Sequence, residues 1–250
     1  MKFTLKALSL ALVASASTVT FAAETTSPHS ISGNIGLVSE YVLRGNTDVL
    51  ENDDVAIQGG LDYSHASGFY AGYWGSTLGY YDLDDDYDKK AFENDFYAGY
   101  NGKITEDLSY TVGVTYYYYM NSDVDSDFFE SLVGIDYKGL SVTAQTALED
   151  SVFANAGDTY VAASYSYALP QDFSLNGTLA VQYNHDSGKY EGSWVADTEK
   201  DFNFRHFTVG LSKPIANTGV TASMDYIFAG DLRDGTDLDD KVVFGLKYEF

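Results

Sequence analysis

The stretch "KVVFGLKYEF", Lys241 to Phe250, decides the fold. In an extended chain successive side chains point to opposite faces. Val242, Phe244, Leu246, Tyr248 and Phe250 therefore share one face, and Lys241, Val243, Gly245, Lys247 and Glu249 the other. Five apolar side chains on one face need a cover. A soluble sandwich supplies a second sheet; a closed membrane barrel uses lipid. The rest of the chain must choose between them.

The amino-terminal stretch has the layout of a secretory signal peptide. Lys2 and Lys6 precede the apolar run "ALSLALVASASTVTF", and "TFAA" offers small residues for cleavage near Ala22 or Ala23. Residues 1–23 are read as that signal and residues 24–250 as one all-β domain. No later apolar run reaches the ~18 residues a spanning helix needs, which excludes a helical membrane protein. The chain has no cysteine, so disulfides and thiolate metal sites are excluded. Its net charge of −23 argues against nucleic acid as a partner.

Period-two alternation recurs along the whole domain. "ISGNIGLVSEYVLR" sets Ile31, Ile35, Leu37, Tyr41 and Leu43 against Ser32, Asn34, Glu40 and Arg44. "LSYTVGVTYYYY" sets Leu108, Tyr110, Val112, Val114, Tyr116 and Tyr118 against Ser109, Thr111 and Thr115. "FSLNGTLAVQYN" sets Phe173, Leu175, Leu179, Val181 and Tyr183 against Ser174, Asn176, Thr178, Gln182 and Asn184. About twelve such segments follow one another, each near the ~9–11 residues of a tilted strand crossing a bilayer.

The connections alternate in kind. Short turns ("HASG", "KG", "PQD", "PIANTG") alternate with long acidic loops such as "YDLDDDYDKKAFEN" and "HDSGKYEGSWVADTEKD". Aromatic residues cluster near strand ends, where two interfacial girdles would lie. Together these predict a transmembrane antiparallel up-and-down β-barrel with both ends at the short-turn rim. Closure is the physical reason: only a barrel without edges satisfies every strand N–H and C=O in lipid. A soluble periplasmic β-sandwich is the rival fold.

"GLKYEF" resembles the carboxyl-terminal assembly signal of bacterial outer-membrane proteins through Gly245, Tyr248 and Phe250; Val243 departs from it, standing where a polar residue is usual. The resemblance implies the barrel-assembly machinery as a partner. "NIGLVSEYVLRG" followed by "QGGLDYSHASGFYAGYWGS" resembles the TorF family of outer-membrane porins. That resemblance implies a bacterial outer-membrane location and passive transport, and it supplies no substrate.

The polar faces predict a lumen lined by Glu40, Arg44, Asp62, Thr111, Thr115, Glu130, Asp136, Gln145, Gln182, Asp225 and Lys247. Arg44 and Lys247 can equally pair internally with Glu40 or Glu249. Tyr97, Tyr117, Tyr119, Phe128, Tyr160 and Phe204 are read as inward rings that narrow the lumen. "FYAGYWGSTLGY" has aromatics in both phases, so Trp74 fits either face, with the inner one preferred because Phe69 then starts the outer face. Acids outnumber bases, which favours cations mildly.

The loop carrying Asp82, Asp84, Asp86 and Asp88, with Glu93, has the spacing of a calcium loop. Tyr87 stands where that loop needs Gly, so a solvated acidic loop is the plainer reading. His185 beside Asp186, and His206, lack the partner motifs of outer-membrane proteases and phospholipases, and no catalysis or cofactor is expected.

The expected function is a porin-like channel for small hydrophilic solutes. Its alternative is a non-conducting barrel whose acidic loops serve adhesion or contacts with divalent ions and lipopolysaccharide.

Overall fold

The computed structural model describes residues 27–48, 54–81, 90–120, 122 and 124–250. The signal-peptide segment, residues 1–23, and Asp82, Asp84, Asp86 and Asp88 lie outside them. Twelve strands form among the described residues: β1 (His29–Val38), β2 (Ala56–His65), β3 (Phe69–Tyr81), β4 (Lys90–Lys103), β5 (Leu108–Met120), β6 (Phe128–Tyr137), β7 (Leu140–Ala147), β8 (Thr159–Ala168), β9 (Ser174–Tyr183), β10 (Phe202–Pro214), β11 (Val220–Ala229) and β12 (Lys241–Glu249). Each pairs antiparallel with its sequence neighbours, and β1 pairs with β12, so the sheet is a closed barrel. Beyond the last strand the Phe250 and Gly33 main chains exchange N–H···O bonds of 2.9 and 3.0 Å. No edge is left, which answers the problem of unpaired strand groups in lipid.

The faces are divided as the alternation requires. Leu179, Val112, Val133, Phe244 and Leu246 are exposed on the outside. Their inward neighbours are polar, as in the Ser164–Thr178 and Thr111–Asn101 side-chain bonds. A sandwich would bury the apolar set, so the exposed apolar band makes this a lipid-facing surface. Aromatic rings cap the band at both rims. At the short-turn rim Phe69 meets Tyr100 edge-on at 5.2 Å, and Tyr248 stacks on Phe250 at 5.9 Å. Towards the long loops Tyr116 stacks on Phe129 at 4.6 Å and Tyr226 lies 4.5 Å from Phe228.

The "KG" turn takes positive φ at both residues, 50° at Lys138 and 88° at Gly139, the twist that a two-residue hairpin needs. Close backbone approach fixes another glycine: a Cβ on Gly60 would lie 2.4 Å from the Tyr73 carbonyl oxygen. Gly60→Val is therefore expected to destabilise the barrel by about 1–3 kcal/mol. Gly177→Val should be neutral or mildly stabilising, because nothing lies within 4 Å of that Cβ and Val suits a strand. Urea unfolding of the detergent-folded variants separates the two, and equal losses would refute the steric account.

Two phase assignments are corrected by the structure. β1 ends at Val38, so Tyr41 and Leu43 are not on the outer face: Tyr41 is 2% exposed and Leu43 packs against the inner apolar cluster. The chain turns into the barrel because Tyr41 finds a buried acceptor there, its Oη donating to Glu93 Oε2 at 2.5 Å. Phe204 points outward, not inward, because the β9–β10 register shifts between Phe204 and His206. The bulge turns Arg205 and His206, adjacent in sequence, both to the inside, where they are 8% and 4% exposed. Trp74 faces inward beside the Tyr41 ring, 6.3 Å away.

Candidate functional site: the inner segment and outer chamber

The residues following β1 are tied to the barrel wall by a short series of strong contacts. Arg44 binds Glu130 through both guanidinium ends, Nη1 to Oε1 at 2.7 Å and Nη2 to Oε2 at 2.5 Å. Its Nη2 also donates to Tyr117 Oη at 3.2 Å, and its guanidinium sits 5.1 Å from the centre of the Tyr160 ring. Two flat ends in register make this the strong, directional form of an Arg–carboxylate pair. Tyr160 Oη lies 2.7 Å from His206 Nε2, and the two rings stack. Tyr117 stacks on Phe128 at 4.8 Å. Glu93 accepts from Tyr119 as well as Tyr41. Thr47 Oγ1 donates to the Asp239 carbonyl at 2.7 Å, which ties the segment to the far loop.

These contacts lie in the long-loop half of the barrel, because Glu93, Tyr117, Glu130, Tyr160 and His206 all stand near the long-loop ends of their strands. The short-turn half carries smaller polar side chains. There Tyr97 donates to Asp62, Ser166 to Asn176 at 2.8 Å, and Asn176 to Ser212 at 3.1 Å.

Above Arg44 a chamber of about 330 Å³ opens under the long loops. Leu43, Arg44 and Asn46 form its floor; Tyr119, Phe128, Glu130, Gln182 and Arg205 its wall; Phe153, Trp194 and Arg233 its upper side. The loops above it are held by charge. Arg233 pairs with Asp158 and approaches Glu191 at 3.6 Å, and Lys200 pairs with Asp231. Burial works against the Glu191 carboxylate, but bonds from the Asn155 amide and the Thr198 N–H, with Arg233 beside it, hold it below the usual glutamate range. The Lys200 ammonium does the same for Asp231. The backbone N–H groups of Ala156 and Lys189 do so for Asp150.

The predicted lining residues divide into two sets. Arg44, Glu130, Thr115, Gln145 and Asp225 are buried inside or nearly so; Asp62, Thr111, Asp136, Gln182 and Lys247 are inward and half-exposed. Glu40 pairs with Lys241 at 2.7 Å, not with Arg44, whose partner is Glu130. Lys247 pairs with Glu249 at 2.9 Å, one of the two internal pairings open to it. Of the calcium-like set, Glu93 belongs to β4 and faces tyrosines inside the barrel, so it is not a loop ligand. No cluster of three His, Asp or Glu gathers for a metal among the described residues. His185 Nδ1 turns to Ser187 in its own loop, and His206 is taken up by Tyr160 and Thr208.

Arg205 and Arg233 are functional candidates that the alternation hides. A warning was present: in the phase set by Phe207 and Leu211, Arg205 falls on the lipid face, where a cation is unfavourable.

A closed antiparallel twelve-strand barrel with an apolar outside and a polar, charged inside is the fold of outer-membrane barrel proteins. Over residues 22–234 the chain matches, and belongs to, the Gcw_chp family, described as a bacterial protein of unknown function. No curated protein matches it. Among solved structures it is similar to the NanC porin, with 11% identity and a TM-score of 0.51, covering 87% of this chain and 98% of that one. It is also similar to outer membrane phospholipase A from Escherichia coli, with 13% identity and a TM-score of 0.43 over 88% of this chain and 95% of that one. For OprD of Pseudomonas aeruginosa the values are 10% identity and a TM-score of 0.42 over 88% of this chain and 66% of that one.

Proposed function

We propose that this barrel lies in the bacterial outer membrane and is a narrow, non-catalytic channel for passive diffusion of small hydrophilic solutes, the role that the TorF resemblance also implies. The carrying observation is the division of the wall: exposed Leu, Val and Phe outside, Ser, Thr, Asn, Asp and Glu inside. A polar inner wall of this kind can hold a water path through the membrane. The mild cation preference rests on carboxylates that lack a basic partner. Asp136 and Asp225 face inward with no Lys or Arg within ion-pair distance among the described residues, while Arg44, Arg233, Lys241 and Lys247 are already neutralised and Arg205 is the opposing unpaired cation. Gly245, Tyr248 and Phe250 serve as the assembly signal read by the barrel-assembly machinery.

Purified protein in planar bilayers should give single-channel steps, and a potassium chloride gradient should give a reversal potential on the cation side. Absence of steps rejects the channel; an anion-side potential rejects the preference.

One observation favours the second reading. Tyr41, Val42 and Thr47 of the infolded segment are each 2% exposed or less, as deep as a plug would be. In that case the barrel does not conduct, and its acidic loops serve adhesion or divalent and lipopolysaccharide contacts. Silent bilayers together with loop-dependent calcium or lipopolysaccharide binding would select it.

A further inference from the structure

Arg205 differs in kind from the other arginines of the barrel. Arg44 is neutralised by Glu130 and Arg233 by Asp158. Arg205 is 8% exposed, and among the described residues no carboxylate lies within ion-pair distance of it. Among the described residues its one acceptor is the Asp231 main-chain oxygen, 3.0 Å from Nη1, which leaves Nε and Nη2 without a partner there. The formal charges that act on it, those of Arg44 and Arg233, share its sign. A buried guanidinium without a counter-charge is expensive, and proteins bury charges paired. The bulge in β10 nevertheless turns this side chain into the chamber.

One other polar group on the chamber wall is open: the Gln182 amide makes no hydrogen bond among the described residues. Arg44 Nε and Asn46 Oδ1 also lack partners, but they are closed off within the lining.

We propose that the outer chamber binds a small hydroxylated carboxylate. Its carboxylate lies on the free Arg205 edge, and its hydroxyl groups meet the Gln182 amide on the same wall. Arg205 supplies the missing half of an Arg–carboxylate pair, the geometry in which a guanidinium is most selective. The volume of about 330 Å³ is at the small end of ligand pockets, which limits the guest to a few carbon atoms and their oxygens. The unpaired acids that bias small ions lie on other wall positions, so a cation-favouring wall and one anion-holding chamber are compatible. The site's role in transport rests on the channel reading, but binding itself does not.

The test uses gluconate as the probe and glucose as its neutral match, with the full-length protein folded in detergent. Calorimetry, supported by the fluorescence of Trp194 in the chamber, should give saturable gluconate binding and none for glucose. Arg205→Gln should weaken it about tenfold or more, the loss expected for a charge-assisted hydrogen-bonded pair. Arg205→Lys, which keeps the charge without the fork, should fall between. Lys213→Gln, whose ammonium sits over the Phe173 ring, removes equal charge elsewhere and should leave affinity unchanged. Folding of each variant is checked by heat-modifiable migration on a gel.

Wild-type protein that binds glucose as well as gluconate, or neither, overturns the proposal even if every Arg205 variant fails to fold. Gluconate binding in a protein that does not conduct would leave this site standing and remove the channel; conductance without gluconate binding would do the reverse.

Discussion

Arg44→Ala is expected to raise single-channel conductance several-fold and to lower the unfolding free energy by about 3–5 kcal/mol. Both effects come from one contact. The Arg44–Glu130 pair is bidentate, and the Glu130 side chain is 4% exposed, so deleting the arginine leaves a carboxylate with neither water nor counter-charge. The same deletion takes the guanidinium off the Tyr160 ring and away from Tyr117, and with it the main tie between the infolded segment and the β5, β6 and β8 walls. Tyr41–Glu93, Glu40–Lys241 and the bonds of Thr47 and Asp48 to Asp239 would remain, none of them reaching the β5, β6 and β8 walls. The double variant Arg44→Ala with Glu130→Gln separates the two consequences: neutralising the orphaned acid should restore most of the stability and leave the conductance high. Planar-bilayer recording and urea unfolding read the two quantities independently. Stability lost with conductance unchanged would show that the segment after β1 is a brace rather than the constriction.

The barrel itself was readable because its two signals are periodic and physically redundant. Lipid demands an apolar residue at every second position, as Leu175, Leu179 and Tyr183 show, and short turns alternate with long loops along the chain. What escaped was everything that breaks the period. Tyr41 and Leu43 continue the alternation of β1 perfectly on paper, yet the strand has ended. Local pattern carries no record of the Glu93 acceptor, 52 residues away, that draws Tyr41 inside.

Phe204 failed for a different reason. A one-residue bulge inverts every phase upstream of it, and "FNFRHF" reads equally well in either register until the misfit of an arginine in lipid is weighed. The site was therefore legible as a list of inward polar residues but not as pairs. That Arg44 would choose Glu130 over Glu40 depends on the fold bringing residues 86 apart into contact. Arg205 shows the general case: the functional candidate sits where the simple rule fails.

Leu179→Arg is expected to cost about 2–4 kcal/mol and to reduce assembly into the membrane sharply, while Thr178→Arg costs less than about 1 kcal/mol. The two positions are consecutive on β9, near the middle of the strand, and share its backbone and neighbours. Leu179 is 51% exposed on the outer face; Thr178 points inward and shares a side-chain hydrogen bond with Ser164. Strand propensity, chain entropy and added charge are nearly identical for the pair, so any difference measures the medium that each side chain meets. Arginine on the lipid side must keep its charge in hydrocarbon or bend far enough to reach a headgroup, and midway along a strand the reach is longest. Arginine at position 178 enters a wall of hydroxyls and amides and loses only the bond to Ser164. Urea unfolding in lipid vesicles, with heat-modifiable migration as the check on assembly, gives both values. If the two substitutions cost the same, or Thr178→Arg costs more, the outer face does not lie in lipid, and the division of the wall on which the channel depends is wrong.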